Sequence, residues 1–249
     1  MVFKRFSCPT GERKCGKSPL SKVPFSSIAP EELLGPLNDH ERKHAPELLY
    51  VAGDVDLAKR ARVSIVGSRH PSEAGLKRAM RLVRELVGSS VVIVSGLAAG
   101  IDRCAHEVAI AERGKTIAVL GTPLDEVSPK GHESLQLEIM TRHLAISQFA
   151  PGHPVDRCTF PLRNRTMALV SDATVIVEAG ERSGTQHQGW EAIRLGRPLF
   201  LLRSLVEGQA PGWVLKMLDY GAFVLTETAQ VLGRIPDPAV EQLGVHAAF

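Results

Sequence analysis

Three short loops rich in small residues carry the most legible chemistry of this chain: Gly67-Ser68-Arg69, Ser95-Gly96-Leu97-Ala98-Ala99-Gly100 and Gly180-Glu181-Arg182-Ser183-Gly184-Thr185. Each follows a short apolar run, and the second and third lead into helical spacing. Small residues let backbone N–H groups approach a ligand, and helix N-termini favour anions. Arg69 and Arg182 add positive charge. One such loop says little, since most strand-to-helix turns contain glycine. Three together point to an anion site, with phosphate the expected anion. A fourth segment, Phe160-Pro161-Leu162-Arg163-Asn164-Arg165, sets two guanidiniums around an amide, a combination suited to clamping phosphate and bonding a base or sugar.

Other chemistries fit less well. Gly67-Ser68-Arg69 lacks the G-x-G-x-x-G spacing, so nicotinamide or flavin dinucleotides have no support and no cofactor is expected. Gly11 to Ser18 matches the G-x-x-x-x-G-K-[ST] phosphate loop letter for letter. That mechanism needs a buried strand before it and a helix after it. Residues 1–10 make a poor strand, and Pro19 and Pro24 interrupt a following helix. Asp102 and His106 are four apart and share a helix face, with Asp102 best read as a cap or first-turn anion. No nucleophile or metal set accompanies them. His132-Glu133 lacks the second His of a zinc helix, and Cys8 and Cys15 lack further ligands nearby, so no metal site is expected.

The elements that must hold these loops are strands buried on both faces. Val63–Val66, Val91–Val94, Thr116–Leu120, Leu144–Ser147, Ala173–Val177 and Pro198–Leu202 are almost continuous apolar runs. Helical spacing fills Glu73–Val87, Ile101–Arg113 and Gly189–Leu195 between them. Strands about 25 to 30 residues apart fit βαβ units. The expected fold class is therefore α/β: a doubly wound, mostly parallel sheet with helices on both faces and an α/β tail near residues 212–233. In such sheets ligands bind at the carboxyl ends of the strands, where all three loops fall.

Composition sets the bounds. With 249 residues, 44% hydrophobic and 23% charged, the chain reads as globular and long enough for a full core. No apolar run reaches the roughly 18 to 20 residues of a membrane helix, and residues 1–18 hold no apolar signal core. Four scattered cysteines suggest a reducing cytoplasm. A net charge of +3 permits a nucleic-acid partner without demonstrating one. Residues 1–44 read as a flexible basic tail and short lead-in, 45–235 as one core and 236–249 as a loose end.

Taken in order, Leu49-Tyr50-Val51 with Gly53, Val63 to Arg69, Val94 to Asp102 with Ala105-His106, Thr116 to Gly121, Phe160 to Arg165 and Val177 to Gly184 resemble the DNA-processing protein A family, also called Smf. The resemblance covers residues 45 to 205 and implies an extended Rossmann-like core. It also implies a cytoplasmic homodimer that coats single-stranded DNA, without a membrane partner, and helps load the RecA recombinase in natural transformation. It maps DNA contacts onto Arg69, Arg163, Arg165, Lys130 and Arg182. The phosphate-binding set read from the loops adds Gly67, Ser68, Ser95, Gly96, Gly100, Asn164, Ser183, Gly184 and Thr185. The small helical domain that often precedes this core in the family, and the winged helix that often follows it, do not fit here. After Gly184 this chain reads Thr185 to Glu191, polar and aromatic where the family is small and apolar. Trp190 is thereby a candidate for stacking a base.

Two competing functions use the same fold. Nucleotide phosphoribohydrolases of the cytokinin-activating type place a catalytic Glu three residues after a Gly-Thr pair. Here that position is Gln188, and an amide cannot act as general acid or base. Glu191 lies about one helical turn further on. A nucleotide-binding sensor is the other alternative. The expectation is a non-catalytic single-strand binder.

Overall fold

The computed structural model describes residues 19–156, 158–181 and 183–237. The Gly11–Ser18 string and most of the two ends lie outside the described residues.

Nine strands form one sheet among the described residues. They are β1 (Ser26–Ile28), β2 (Leu49–Gly53), β3 (Arg62–Val66), β4 (Val92–Ser95), β5 (Thr116–Leu120), β6 (Leu144–Ser147), β7 (Ala173–Ile176), β8 (Leu199–Leu202) and β9 (Phe223–Leu225). Their spatial order is β1-β2-β6-β5-β4-β3-β7-β8-β9. From β6 through to β9 every pairing is parallel, while β1 and β2 close the opposite edge antiparallel. The six apolar runs all become central strands, each nearly or fully buried along its length. The chain builds outward from β3 through β4, β5 and β6, then returns to β3's other side with β7. The order reverses between β3 and β7, and a crevice opens at such a point.

Alternate residues of each strand feed opposite layers. Val63 and Ile65 pack with Ala79, Leu82, Val83 and Leu86 of α3 (Glu73–Gly88) and with Ile101, Ala105 and Ala109 of α4 (Ile101–Ala111). Val66, Val94 and Ile176 meet Met167 and Val170 of α6 (Thr159–Val170), Ala192 of α7 (Thr185–Arg194) and Val214 of α8 (Gly212–Asp219) on the other face.

The described part of the lead-in, residues 19–44, is structured. It contains β1, paired to β2 through Ser26↔Val51, and two short helices, α1 (Pro30–Leu34) and α2 (Asp39–His44). Asn38 caps α2 in a reciprocal box with Glu41, and Glu41 also reaches Arg197 at 2.6 Å. The remaining helices are α5 (Glu133–Arg142) and α9 (Ala229–Leu232).

At the amino ends of β3 and β7, Asp172 accepts from the Arg62 backbone N–H at 2.7 Å and pairs with its guanidinium at 3.0 Å, both side chains nearly buried. This clamp fixes the two strands that flank the crevice, at the end away from it. Among the described residues, no helix is long and apolar enough to cross a membrane.

Candidate functional site

At the carboxyl ends of β3 and β7 the crevice becomes a cavity of about 570 Å³. Its walls come from the loops after β3, β4 and β7 and from the first turns of α6 and α7. The sequence-predicted residues Gly67, Ser68, Arg69, Arg163, Asn164, Ser183, Gly184 and Thr185 all line it.

Backbone contacts tie the loops together. Ser68 N–H donates to Glu178 O at 2.7 Å, and Ile101 N–H to Ser68 O at 3.1 Å. Gly100 has φ +81, and a side chain there would run into the backbone of Ser68 and Arg69, so only glycine fits. Thr185 Oγ1 donates to Gly67 O at 3.1 Å and accepts from Ser183 Oγ at 2.8 Å. Glu178 ties α3 to the loop after β7: its carboxylate accepts from the Ser72 N–H at 2.8 Å and from the Ser72 hydroxyl, which caps α3 by accepting from Gly75 N–H. That role has no signature in the sequence, because it depends on β7 lying beside β3.

The two arginines on the cavity differ. Arg69 is exposed, its guanidinium over the Phe160 ring at 5.9 Å from the ring centre, so the two form a cation–aromatic pair at the rim. Arg163 is buried: Nη1 donates to the carbonyls of Gly96 and Val119, and Nε donates to Asn164 Oδ1 at 3.0 Å. Asn164 Nδ2 in turn donates to Gly184 O at 3.2 Å. Burial lowers the Arg163 pKa, while nearby Asp102 opposes the shift.

Asp102 also lines the cavity. Its carboxylate accepts from the Gly96 N–H at 3.2 Å and from that of Ala98, holding the β4–α4 loop as a first-turn anion. Burial raises its pKa, against the lowering pull of Arg163 and Arg69. His106 stands apart from it, buried one turn along α4, with Nδ1 2.7 Å from Thr116 Oγ1. That hydroxyl donates to Ile93 O at 2.7 Å, so Nδ1 carries the proton it receives. Burial, with His143 adding to it, pushes the His106 pKa down to about 3.

Other predicted residues lie off the cavity. Ser95 and Gly96 sit behind its wall, Ser95 Oγ donating to Ile65 O at 2.6 Å. Lys130 is exposed elsewhere. Arg165 lies 3.5 Å from Glu191, which also pairs with Arg194 at 2.6 Å, and neither Arg165 nor Glu191 lines the cavity. Trp190 is turned away, edge-on to Tyr220 at 5.4 Å with Lys216 over its face. Arg182 lies outside the described residues. Phe160, His187 and Gln188 line the cavity although the loop pattern alone did not select them. All three lie within segments the sequence does flag, Phe160 to Arg165 and Thr185 to Glu191.

The arrangement can hold an anionic, planar ligand: cationic rim, aromatic face, apolar walls from Val66 and Met167, and a polar floor. Among the described residues that line it, no hydroxyl or thiol is hydrogen-bonded to a His, Asp or Glu side chain. Among the described residues, no cluster of three or more His, Cys, Asp or Glu is placed to hold a metal.

Comparison with known proteins gives a consistent set of relatives. The family model described as DNA recombination-mediator protein A matches residues 30–236. DNA processing protein DprA of Streptococcus pneumoniae is 39% identical over 189 residues, covering 76% of this chain and 66% of that protein. Protein Smf of Synechocystis is 35% identical over 198 residues, covering 77% of this chain and 50% of that one. The chain thus spans about half to two thirds of the length of the curated relatives it matches. The X-ray structure of the Streptococcus pneumoniae protein superposes with a TM-score of 0.72 at 34% identity, over 86% of this chain and 75% of that one. A Helicobacter pylori DNA processing protein A, solved to explain its single-stranded DNA binding mode, gives 0.72 at 26% identity, over 86% of this chain and 96% of that one.

Proposed function

The chain belongs to the DNA recombination-mediator protein A family, and from that premise we propose that its switch-point cavity and rim bind single-stranded DNA without cutting it. The observation that carries this reading is the exposed Arg69 guanidinium beside the Phe160 ring at the mouth of a preorganised cavity. Phosphate contacts from such cations supply affinity without sequence information, and an aromatic face takes any base. Arg163 and Asn164 brace the floor, so the rim does not have to assemble when a strand arrives. In the cell the protein acts as a cytoplasmic homodimer that shields single strands and helps a RecA-type recombinase load onto them.

Three positions that a catalytic reading would draw on support a non-catalytic role. Asp102 is engaged by backbone N–H groups, Glu191 is paired with two arginines outside the cavity, and Gln188 is an amide. The test is a labelled single strand challenged with a single-strand nuclease. Intact strand in the presence of the protein supports binding and shielding. Digestion at an unchanged rate contradicts shielding, and cleavage without added nuclease contradicts the non-catalytic reading.

A second reading, a sensor for a free nucleotide, is favoured by one feature. The cavity volume of about 570 Å³ falls in the range of small-molecule sites.

A further inference from the structure

We propose that Gln188 makes the cavity a one-base pocket that selects bases whose protruding edge group is an amino group, cytosine and adenine over thymine. The proposal rests on the single-strand reading above and specifies what the strand inserts.

Gln188 lies on the first turns of α7 and lines the cavity, yet is only 1% exposed. Its Nε2 donates weakly to Thr174 Oγ1 at 3.4 Å, and Ser64 Oγ reaches the same hydroxyl at 3.4 Å. Its Oε1 is buried with no hydrogen-bond partner. A buried, orphaned acceptor on a cavity wall is costly until a donor arrives. The terminal torsion of an amide is broad and the Thr174 contact is long, so a rotation that gives up that contact presents Oε1 to a ligand.

The space above it suits a base. Val66 and Met167 supply apolar walls and Phe160 an aromatic face. With Oε1 turned into the cavity, the amide offers the ligand an acceptor. The N4 amino group of cytosine or the N6 amino group of adenine projects a donor towards it. Thymine's donor on that edge, N3–H, is flanked on both sides by the carbonyls O2 and O4, whose lone pairs crowd Oε1 when N3–H bonds it, so its bond is the weaker one. The polar stretch Thr185 to Glu191 therefore tunes which base is held, while Arg69 on the rim holds the strand.

The test compares binding of the full chain to oligonucleotides of equal length built from 5-methylcytosine or thymine, which share the methyl group and differ at position 4 and N3. The parent is expected to prefer 5-methylcytosine by about 3- to 10-fold, the worth of one buried hydrogen bond. In Gln188→Met the ratio falls to about 1 while the salt dependence of binding stays unchanged. Equal affinities in the parent, a thymine preference, or a ratio that survives Gln188→Met would each overturn the proposal and leave the single-strand reading standing. If neither oligonucleotide binds, that reading fails and this one with it. The parent comparison alone decides the matter should the variant not fold.

Discussion

The Arg163 guanidinium occupies the space where a side chain at position 96 would be, and Nη1 donates to the Gly96 carbonyl itself. Because the same nitrogen also reaches Val119 O at 3.0 Å, one cation links the carboxyl ends of β4 and β5. A Gly96→Ala change should therefore cost about 1–3 kcal/mol by overpacking. In an Arg163→Ala background most of that cost should vanish. A double-mutant cycle by urea unfolding checks this, and additive losses would contradict the contact.

Arg165 and Arg69 are equivalent as letters but not in the fold. Arg165 is partly neutralised by Glu191 at 3.5 Å, whereas Arg69 stands exposed over Phe160. Arg69→Ala should weaken single-strand binding more than Arg165→Ala. Glu191→Gln should free Arg165 and tighten binding by roughly 2- to 5-fold, the scale of one exposed ion pair. Anisotropy titrations of the three variants decide the order.

His106 should make the protein less stable as pH falls. Its pKa is about 3 in the fold, below the ordinary 6.5, because it is buried. The unfolded chain therefore takes up a proton that the folded chain refuses between these values. Its stabilising contribution is complete above pH 6.5 and declines towards pH 3, by up to about 1.4 kcal/mol per pH unit. Asp102, whose pKa burial raises, acts in the opposite sense. The comparison is thus between parent and His106→Gln, whose stability should fall less steeply over that window in urea melts.

Breaking the clamp at the other end of the sheet should harm stability and spare the site. Asp172→Ala leaves the nearly buried Arg62 guanidinium unpaired and should cost about 3–5 kcal/mol. Folded protein should still bind DNA with parental affinity, measured at low temperature.

The parallel centre of the sheet was legible because strands buried on both faces must be apolar almost throughout, as Thr116–Leu120 is. The antiparallel edge was less so. Leu49–Gly53 is as apolar, but its pairing Tyr50↔Ser147 is set by distant chain. Gly189 reads as a helix start, yet α7 begins at Thr185. Gly189 lies inside it because a side chain would press on Met217 and Ile176. Pro161 sits in the first turn of α6, where proline is tolerated. That the three loops share one edge followed from the parallel βαβ pattern alone. Which arginine is buried, which is paired and which is free did not, because each answer depends on groups brought from elsewhere: Gly96 for Arg163, Glu191 for Arg165 and Phe160 for Arg69.

A cavity rim that holds a single strand by its phosphates must bind it in a salt-dependent way. The most direct measurement is a salt titration of binding to labelled oligo-dT for the parent and for Arg69→Ala, with duplex DNA and a nucleoside monophosphate as competitors. Affinity should fall steeply with salt, both competitors should compete poorly, and the log–log salt slope should be shallower by about 1 in Arg69→Ala. A parental slope and affinity in Arg69→Ala, or displacement of the strand by the monophosphate, would contradict phosphate binding at the rim.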